Sequence, residues 1–596
     1  MSSLLADPLT AKVLLPEFTL VVGMVLMMLV PNLGGATFRL PIPNTNIRLP
    51  YFLGGRRFRW SSSPRVPGII SVLTLMFAAA LALISQTNSP LFDVDNVWCI
   101  AADGVAYASC LGVPDDGLVL RVDGFSRLLE VLFYGALMLA AVAAWYRLPA
   151  TPRNLIHAEQ LREPHESLRI QMLLDNRRQV DFHLLVLLTA FGMSFVALAA
   201  DLFLLFVGLE LAALSSYVMV SFLKEKKSAS EGGVKYFIVG SVSSAVGLYG
   251  LSLLYLWNGS LQISGVNGLA GAWAGMGNEI DSLALFGLSF LLVAIGFKVS
   301  AAPFHLATPD AYSGAAGPVA GVLATASKAM GFVVLLRILV AIAMPDEGSA
   351  FWVGVVGLLA AVTMTWGNFA ALSSRNPKRM LAYSSVAHAG YLLAAVAAIG
   401  VNSVYGTHVV AELIVAAMLF HLVVLVTFKL GSFLVLGLVE IDGKGADIED
   451  FHGLAKRDPI IALALFVFML SLAGVPPFAG FLSKLLMVSG IIDATVHNSM
   501  TFDDGMMAAV ESLHWVFWLA VLVFLNSALS LFYYLRLGWV MFFEAPPSRA
   551  PLAPAPFLRL AIVFCMIGAV AFGFGPFADQ LIMLVSNAAE SLFELG

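Results

Sequence analysis

Ionisable side chains interrupt the long apolar runs of this sequence, and they are its most informative chemical groups. An ionisable group at membrane depth costs about 2.5–3.5 kcal/mol on insertion scales, so such groups mark functional positions. In the first half of the chain they are Glu210, Lys235, Lys298 and Lys328. In the second half they are His388, His421, Lys429 and Lys484. Because they are spread over consecutive apolar segments, together they could form a chain of titratable sites.

A simpler interpretation exists for each of these residues. A lysine near a helix end can extend its ammonium group to the lipid headgroups. This interpretation fits Lys235, which closely follows a charged loop, better than Glu210 or Lys328, which lie well inside their runs. A lone histidine is more often a hydrogen-bonded packing group than a ligand, which is the interpretation favoured for His408 and His421.

Two of the lysines lie beside prolines that should break their helices. Lys298 precedes Pro303 in GFKVSAAPFH, and Lys484 follows Pro476 and Pro477 in GVPPFAGFLSK. Proline removes a backbone hydrogen bond and clashes with the preceding turn. In lipid such a break is tolerated only where it is buried in protein or lines water. The sequence therefore predicts one broken helix in each half, an arrangement typical of transporters with inverted repeats.

Composition places the chain in a membrane. It has 596 residues, of which 59% are hydrophobic and 12% charged, and its mean hydropathy is +0.88. Soluble domains carry about 25% charged residues. With 3 cysteines no CxxC metal or iron–sulfur framework can form, and no nucleotide-binding motif is present. The sequence thus predicts no metal, no cofactor and no nucleic-acid partner for this chain.

Apolar runs between polar breaks predict an all-α polytopic protein with about fourteen spans of roughly 20 residues. We place them near 13–31, 66–84, 124–146, 182–200, 202–222, 232–257, 282–303, 315–343, 351–371, 380–400, 407–438, 459–490, 512–543 and 557–586. The run 407–438 is longer than one span requires, which predicts a tilt or a kink. The N-terminal segment lacks a basic region and a cleavage site, so the first run is predicted to span the membrane.

Loop charges predict the orientation. Arginines and lysines concentrate in alternate loops, and the intervening loops carry Asp and Glu. By the positive-inside rule both termini lie outside, as an even number of spans requires. Cys99 and Cys110 then share an outer loop, where oxidising conditions permit a disulfide. Cys565 lies in the last run and is predicted to pack as a small apolar residue.

Four regions follow from this pattern. Residues 1–181 are predicted to hold the first three spans with long polar loops, and 182–343 a first antiporter-like half broken near 298–305. Residues 351–543 are predicted to form a second half broken near 474–484. Residues 544–596 combine a stiff Pro-rich linker with a C-terminal span.

Several motifs resemble the antiporter-like membrane subunits of respiratory complex I, specifically its subunit N branch. They include VGLELAALSSYV, GFKVSAAPFHLATPDAYSGAAGPV, GNFAALSSRNPKRMLAYSSVAHAGYLL and LSLAGVPPFAGFLSK, and they extend from about 182 to 540. Subunits L and M and Mrp-type antiporter subunits share the broken helices and the glutamate–lysine plan. The VKYF segment, the IEDFHGL loop and the FYYLR helix favour subunit N over them.

The resemblance implies a role for each ionisable residue. It implies that Glu210 modulates a lysine, that Lys235 is its partner on the next helix, that Lys298 belongs to the first broken helix, that Lys328 is a connecting lysine, that His388 is a relay and that Lys484 ends the second broken helix. His305 and His421 are additional relay candidates. Lys429 stands where the family usually has a neutral residue. It is either an added relay site or a lysine paired with the carbonyls of an unwound turn.

By this resemblance, the chain is expected to translocate protons in a complex I-type quinone oxidoreductase, multi-pass in a bacterial inner membrane. The quinone, flavin and iron–sulfur clusters would lie in other subunits, because this chain carries no visible redox centre. Burial disfavours a charged lysine and a nearby carboxylate favours it, so such sites can switch between holding and releasing a proton. The alternatives are an Mrp-type Na⁺/H⁺ antiporter subunit and a structural subunit that does not pump. NADH, reduced ferredoxin and F420-type electron donors all stay open.

Overall fold

Long apolar helices make up most of this protein, whose computed structural model describes residues 8–29, 37–39, 48–50, 66–84, 97–101, 105–107, 117–145, 164–265, 267–276, 281–343, 349–404, 408–495, 513–546 and 550–593. The helices of the N-terminal part are α1 Pro8–Val13, α2 Leu15–Leu29, α3 Val66–Ile84, α4 Gly124–Ala144 and α5 Pro164–Leu198. The helices of the next part are α6 Leu202–Val220, α7 Lys227–Asn258, α8 Leu269–Gly275, α9 Ser282–Val299, α10 Thr308–Gly314, α11 Gly317–Ala324 and α12 Ala326–Ile338. The remaining helices are α13 Ser349–Ser373, α14 Pro377–Val404, α15 His408–Leu425, α16 Gly431–Ile441, α17 Leu454–Arg457, α18 Pro459–Ala473, α19 Ala479–Thr495, α20 Phe517–Phe543, α21 Pro556–Ala571 and α22 Pro576–Phe593.

Five short strands lie in two small antiparallel sheets of the described chain. They are β1 Thr37–Arg39, β2 Arg48–Pro50, β3 Trp98–Ala101, β4 Ala106–Tyr107 and β5 Leu118–Val122. Strands β1 and β2 pair with each other, and the second sheet has the order β4-β3-β5. Cys99 on β3 is disulfide-bonded. Cys110 lies outside the described residues, so the pairing of these two cysteines stays a prediction.

The membrane class is confirmed. Within the described chain, eleven helices are long and apolar enough to cross a bilayer. The shorter helices α2 and α18 are also apolar. The count of about fourteen spans, the inverted repeats and the four-region division stay predictions.

The last predicted span, 557–586, is not one straight helix. Helices α21 and α22 meet at an angle of 84°. Gly575 has a φ of +74° and precedes Pro576, which explains the turn. A Cβ on Gly573 would lie 2.1 Å from the carbonyl oxygen of Pro477, so the bend packs directly on the second proline segment.

Both proline segments separate consecutive helices. Helix α9 ends with Ser300 in the left-handed conformation, and Pro303 precedes a 3-10 turn over Phe304–Ala307. Helix α18 ends with Gly474 at a φ of +82°, before Pro476 and Pro477. Helix α9 therefore ends at Ser300, three residues before Pro303. Nothing in the surrounding sequence indicates that this serine adopts a positive φ.

Three further irregularities lie inside predicted spans, one of them a π-helical turn over Leu339–Ala343. Thr325 separates α11 from α12 with a φ of −122° and a ψ of −85°. A π-helical turn over Val426–Leu430 joins α15 to α16 and contains Lys429. π turns inside α-helices are frequent at functional sites. This turn lies inside the 407–438 run, for which the tilt or kink stays a prediction.

The helices differ in how deeply they are buried within the bundle. The segments Gly317–Ile338 and Pro377–Val401 are fully buried along their most apolar stretches, whereas α7 and α20 expose much of theirs. Exposed side chains of α7 include Phe237, Ile238 and Val242. An apolar exposed face suits lipid, so α12 and α14 form the interior of the bundle and α7 lies at its edge.

Candidate functional site: a buried polar axis

Glu210 occupies the middle of α6, half-buried in an otherwise apolar helix. Asp201 begins this helix by accepting hydrogen bonds from the backbone N–H groups of Phe203 and Leu204. Ser244 of α7 donates a 2.6 Å hydrogen bond to Glu210 Oε1. The carboxylate thus has a hydroxyl donor on the neighbouring helix.

Lys298 lies in the last turn of α9 and is 5% exposed. Of the buried lysines that the structure describes, it alone donates no hydrogen bond from Nζ. Its Nζ is 5.3 Å from the centroid of the Tyr217 ring and 5.7 Å from that of Phe297. Glu210 is close enough to act on it electrostatically. An ammonium group held by ring faces and a nearby carboxylate has no fixed acceptor, which suits a group that gains and loses a proton.

Hydroxyl groups continue from the first broken helix toward the interior. Thr308 donates a 3.0 Å hydrogen bond to Ser300 Oγ across the break. Tyr236 on α7 lies near Ser327 on α12. Ser327 directly precedes Lys328, which is 1% exposed and donates from Nζ to the carbonyl oxygen of Ser385 on α14. Lys328 on α12 thus bonds α14, the most buried helix of the second half.

Lys429 lies opposite the same stretch of α14. It is fully buried, and its Nζ donates to Ser384 Oγ, next in the chain to the acceptor of Lys328. The Ser384 hydroxyl in turn donates to the carbonyl oxygen of Leu381 at 2.8 Å. Lys429 therefore bonds a side chain on a neighbouring helix rather than the carbonyls of its own π turn. Of the two roles raised from the sequence, this placement is the one expected of a relay site.

A histidine pair continues the axis. Nδ1 of His388 is 3.1 Å from Nε2 of His421, and Nδ1 of His421 is 2.9 Å from Ser483 Oγ. Ser483 donates its single proton to the carbonyl oxygen of Gly480, so His421 Nδ1 donates to Ser483 and His421 Nε2 accepts from His388. The imidazole rings of His388 and His421 are stacked, with their centroids 5.3 Å apart. His421 is thus a bridging member of a directed chain and not an isolated packing group.

Lys484 ends the axis at the second broken helix. It donates to the carbonyl oxygens of Leu472 and Ala473 at 2.8 and 3.2 Å and to Ser527 Oγ at 2.8 Å. These carbonyls lack helical partners because α18 stops at Ala473, and a cation is favourable at a helix C-terminus. The break thus supplies the acceptors that hold the lysine.

We call the series Glu210, Lys298, Lys328, Lys429, His388, His421 and Lys484 the polar axis. Hydrogen bonds join parts of this series: Glu210 accepts from α7, Lys328 and Lys429 donate to consecutive residues of α14, and His388 bonds His421. Lys235 lies elsewhere: its side chain is 45% exposed and bonds Glu231 and Asp310, at 2.6 and 2.8 Å, not Glu210. Its predicted partnership with Glu210 is therefore absent from this structure.

His305 is buried beside the first break, 6.3 Å from the Trp366 ring, and its Nδ1 has no hydrogen-bond partner. The side chain of His408 lies outside the described residues.

Sequence reasoning missed the hydroxyl residues between the ionisable ones and a branch of amides. Asn368 on α13 donates to Tyr391 Oη and to Asn526 Oδ1, both at 3.0 Å, and accepts from Tyr533. Tyr391 in turn lies under Lys484, 5.5 Å from ring centroid to Nζ. Burying a serine or an asparagine in an apolar helix costs little free energy compared with burying a charge. Their presence in an apolar run therefore does not by itself indicate a functional position. The described residues contain no His, Cys, Asp and Glu group arranged for a metal ion.

Comparisons with known proteins decide the family. A family model described as the NADH:quinone oxidoreductase/Mrp antiporter membrane region matches residues 199–510. NADH-quinone oxidoreductase subunit N of Heliobacterium modesticaldum is 36% identical over 70% of this chain and 79% of its own length. The chain belongs to the NADH:quinone oxidoreductase/Mrp antiporter family. The polar axis of this antiporter-like subunit lies wholly within the matched residues.

Other relatives and solved structures support the same family assignment. Subunit N 2 of Roseiflexus castenholzii is 33% identical over 85% of this chain and 94% of its own, and F(420)H(2) dehydrogenase subunit N of Methanosarcina mazei is 36% identical over 69% and 77%. A chain of respiratory complex I from Thermus thermophilus is 26% identical, with a TM-score of 0.62 over 94% of this chain and 96% of that one. A chain of the Mrp complex from Dietzia has a TM-score of 0.70 over 98% and 97% of the two chains. At 19% identity it shows the shared fold alone.

Proposed function

We propose that this antiporter-like subunit translocates protons as subunit N of a complex I-type quinone oxidoreductase. Quinone reduction would take place elsewhere in the assembly and drive the protons through this chain. The observation that carries the proposal is the polar axis. It places ionisable groups on helices from α6 to α19 inside the bundle, several of them joined to neighbouring helices by hydrogen bonds.

The axis has the parts that proton movement requires. Burial disfavours charged lysine, and neighbouring cations repel each other, so loading one site favours release at the next. Lys328 and Lys429 bond consecutive residues of α14, which brings two such cations together. Moving one charge across 100 mV requires about 2.3 kcal/mol. A change of about two units in proton affinity corresponds to about 2.7 kcal/mol, so modest rearrangements are of sufficient size.

Each broken helix has a different task in this account. At the first break, Lys298 has no hydrogen-bond acceptor and responds to Glu210. At the second, Lys484 is held by three oxygen acceptors. We infer that Lys298 is the switching group and that Lys484 is a terminal site whose occupancy is set by the helix break. The chain would lie multi-pass in the inner membrane with both termini outside.

The Mrp-type antiporter is the second candidate, because the Dietzia Mrp chain shares the fold over 98% of this chain. The relatives at 33–36% identity bear the name subunit N, which favours the oxidoreductase. Their names include both an NADH-quinone oxidoreductase and an F(420)H(2) dehydrogenase, so the electron donor stays open.

Purification of the native assembly through an affinity tag on this chain tests the proposal. We expect co-purifying peripheral subunits with redox centres and, after reconstitution into vesicles, proton translocation that requires quinone reduction. Sodium-driven pH changes in the absence of quinone reduction would support the Mrp alternative instead. An assembly that reduces quinone without any proton movement through this chain's axis would support a structural role.

A further inference from the structure

Glu17, Arg127 and Glu130 form a buried charged cluster outside the polar axis, where α2, α4 and α5 meet. All three are at most 6% exposed. Arg127, Glu130 and Tyr134 share one face of α4 because they follow at intervals of three and four residues. Glu17 lies in the first turn of α2, and Ser194 near the end of α5 completes the cluster.

The charges in this cluster do not balance. Arg127 Nη1 is 2.5 Å from Glu130 Oε2 but 4.0 Å from Glu17 Oε1. Its Nη2 donates to the carbonyl oxygen of Val13 at 2.6 Å. One guanidinium thus faces two carboxyl groups and is committed to one of them. Two buried carboxylates beside a single cation favour retention of one proton between them.

Neighbouring charges do not supply the missing cation. Arg121 pairs with Asp123 at 2.9 Å and also donates to the carbonyl oxygen of Ser591. Arg337 on α12 donates to the carbonyl oxygens of Ala197 and Ala199. Both guanidinium groups therefore have acceptors of their own. Neither contacts Glu17 or Glu130 in a hydrogen bond or ion pair that the described residues show.

Hydrogen-bond stoichiometry locates the proton. Ser194 Oγ is 2.8 Å from Glu17 Oε1 and also 2.8 Å from Glu130 Oε1. A serine hydroxyl carries one proton, so it donates to one carboxyl only, and the other must donate to it. Because Glu130 already accepts from Arg127, Glu130 is the carboxylate and Glu17 is the acid. The resulting chain runs from Glu17 O–H to Ser194 and from Ser194 O–H to Glu130.

Unpartnered polar atoms also face this chain. Glu17 Oε2 and the Tyr134 hydroxyl are buried without a hydrogen-bond partner. Tyr134 is fully buried and is acted on electrostatically by both carboxyl groups. The loop charges place this end of α2, α4 and α5 on the outer side.

We propose that Glu17 and Glu130 form a one-proton site, in which a single proton is shared through Ser194 and stabilised by Arg127. The ligand of the site is the proton itself. A shift of the proton from Glu17 to Ser194, with transfer of the Ser194 proton to Glu130, moves it between helices α2 and α4 without a net change of charge. The site does not depend on the proposed function, since the stoichiometry holds whether or not the chain pumps.

Infrared spectroscopy of the assembled complex tests the proposal, through the carbonyl stretch of a protonated carboxylic acid and its shift in heavy water. We expect this band at neutral pH in the native complex and its loss in both Glu17→Gln and Glu130→Gln. In each variant the remaining carboxyl has Arg127 to itself and ionises. Glu590→Gln, an exposed carboxylate on α22, is the matched control and should leave the band unchanged.

Two outcomes would overturn the shared-proton site. One is a native complex without a band that depends on Glu17. The other is a band that persists unchanged in Glu130→Gln, because the proton would then belong to Glu17 alone. Thermal stability gives a second readout: Glu17→Gln replaces a neutral acid by a neutral amide and should leave the unfolding temperature of the complex unchanged. Failure of this variant to assemble would also count against the proposal.

Discussion

At the scale of single residues, what distinguishes the polar axis is how each cation is held. Lys328, Lys429 and Lys484 each donate to oxygen acceptors, whereas Lys298 faces aromatic rings and a carboxylate that it does not bond. Unequal partners are what separates the proton affinities of groups that are chemically identical. A series of identical lysines with identical surroundings would hold protons equally and would give no direction to their movement.

The histidine pair yields a prediction at this scale. His388→Ala and His421→Ala should each lower proton pumping, because either change interrupts the chain from α14 through α15 to Ser483. Residues in one hydrogen-bonded network are non-additive. The double variant should therefore lose about as much pumping as the worse single variant. Initial rates of vesicle acidification measure this. Losses that simply multiply would show that the two rings act independently.

Most residues of the axis could be predicted from sequence, and their partners could not. A lysine or glutamate inside an apolar run is conspicuous because its burial is costly. Ser384 and Ser385 are not conspicuous, and only the structure shows that they accept the bonds from Lys429 and Lys328. Glu17 and Glu130 lie near the ends of apolar runs, where a snorkelling charge is ordinary, so their burial was not visible in the sequence.

At the scale of elements, the second helix break positions Lys484 through Gly474. Gly474 has a φ of +82°, and a Cβ there would lie 3.0 Å from Lys484 Cδ and 3.3 Å from its Nζ. The backbone conformation strongly favours glycine, and the side chain of Lys484 occupies the space that a larger residue would take. Proline interrupts the helix, but glycine and lysine together determine the geometry of the break.

Gly474→Ala should therefore both destabilise the protein and displace Lys484. The left-handed conformation costs a non-glycine residue about 1–2 kcal/mol. We expect a lower unfolding temperature of the assembled complex and reduced proton pumping. Gly354→Ala is the matched control, because a Cβ at this helical glycine meets no atom within 4 Å. Equal behaviour of the two alanine variants would contradict the role given to Gly474.

The proline motifs predicted approximately where the two helices end, but not which residue ends each helix or in which backbone conformation. Ser300, not Pro303, ends the first helix, through a positive φ that serine rarely adopts. The bend between α21 and α22 follows from Gly575 and Pro576, yet hydropathy averaged over 557–586 hides it. Hydropathy reports the apolar length of a segment and is insensitive to one residue's backbone conformation.

At the scale of the whole molecule, the buried helices are also the ones that hold or contact the ionisable residues. The ionisable residues of the axis lie on or against the fully buried α12 and α14, and the exposed apolar residues lie on peripheral helices such as α7. The bundle thus separates a polar interior from a surface suited to lipid. Hydropathy alone predicted the membrane class, whereas the order of helices around the axis required the structure.

Orientation gives a prediction for the whole molecule. The alternation of basic and acidic loops predicts that both termini lie outside. Alkaline phosphatase fused to the C-terminus should be active, because it folds only outside, and a green fluorescent protein fusion at the same position should be dark. A fusion placed in the basic loop near Lys226 serves as the control with the opposite expectation. Fluorescence at the C-terminus would reverse the orientation or make the number of spans odd.

The central claim is that protons move along the polar axis and that Lys298 is its switching group. Its most direct test is the ratio of protons translocated to quinone reduced in reconstituted complexes that carry Lys298→Ala or Glu210→Ala. Because a positioned proton-transfer group contributes about 10²–10⁴-fold to its step, we expect pumping to fall about tenfold or more in an intact complex. The exposed Lys227→Ala variant should pump normally. Wild-type pumping and coupled turnover in both axis variants would contradict the account.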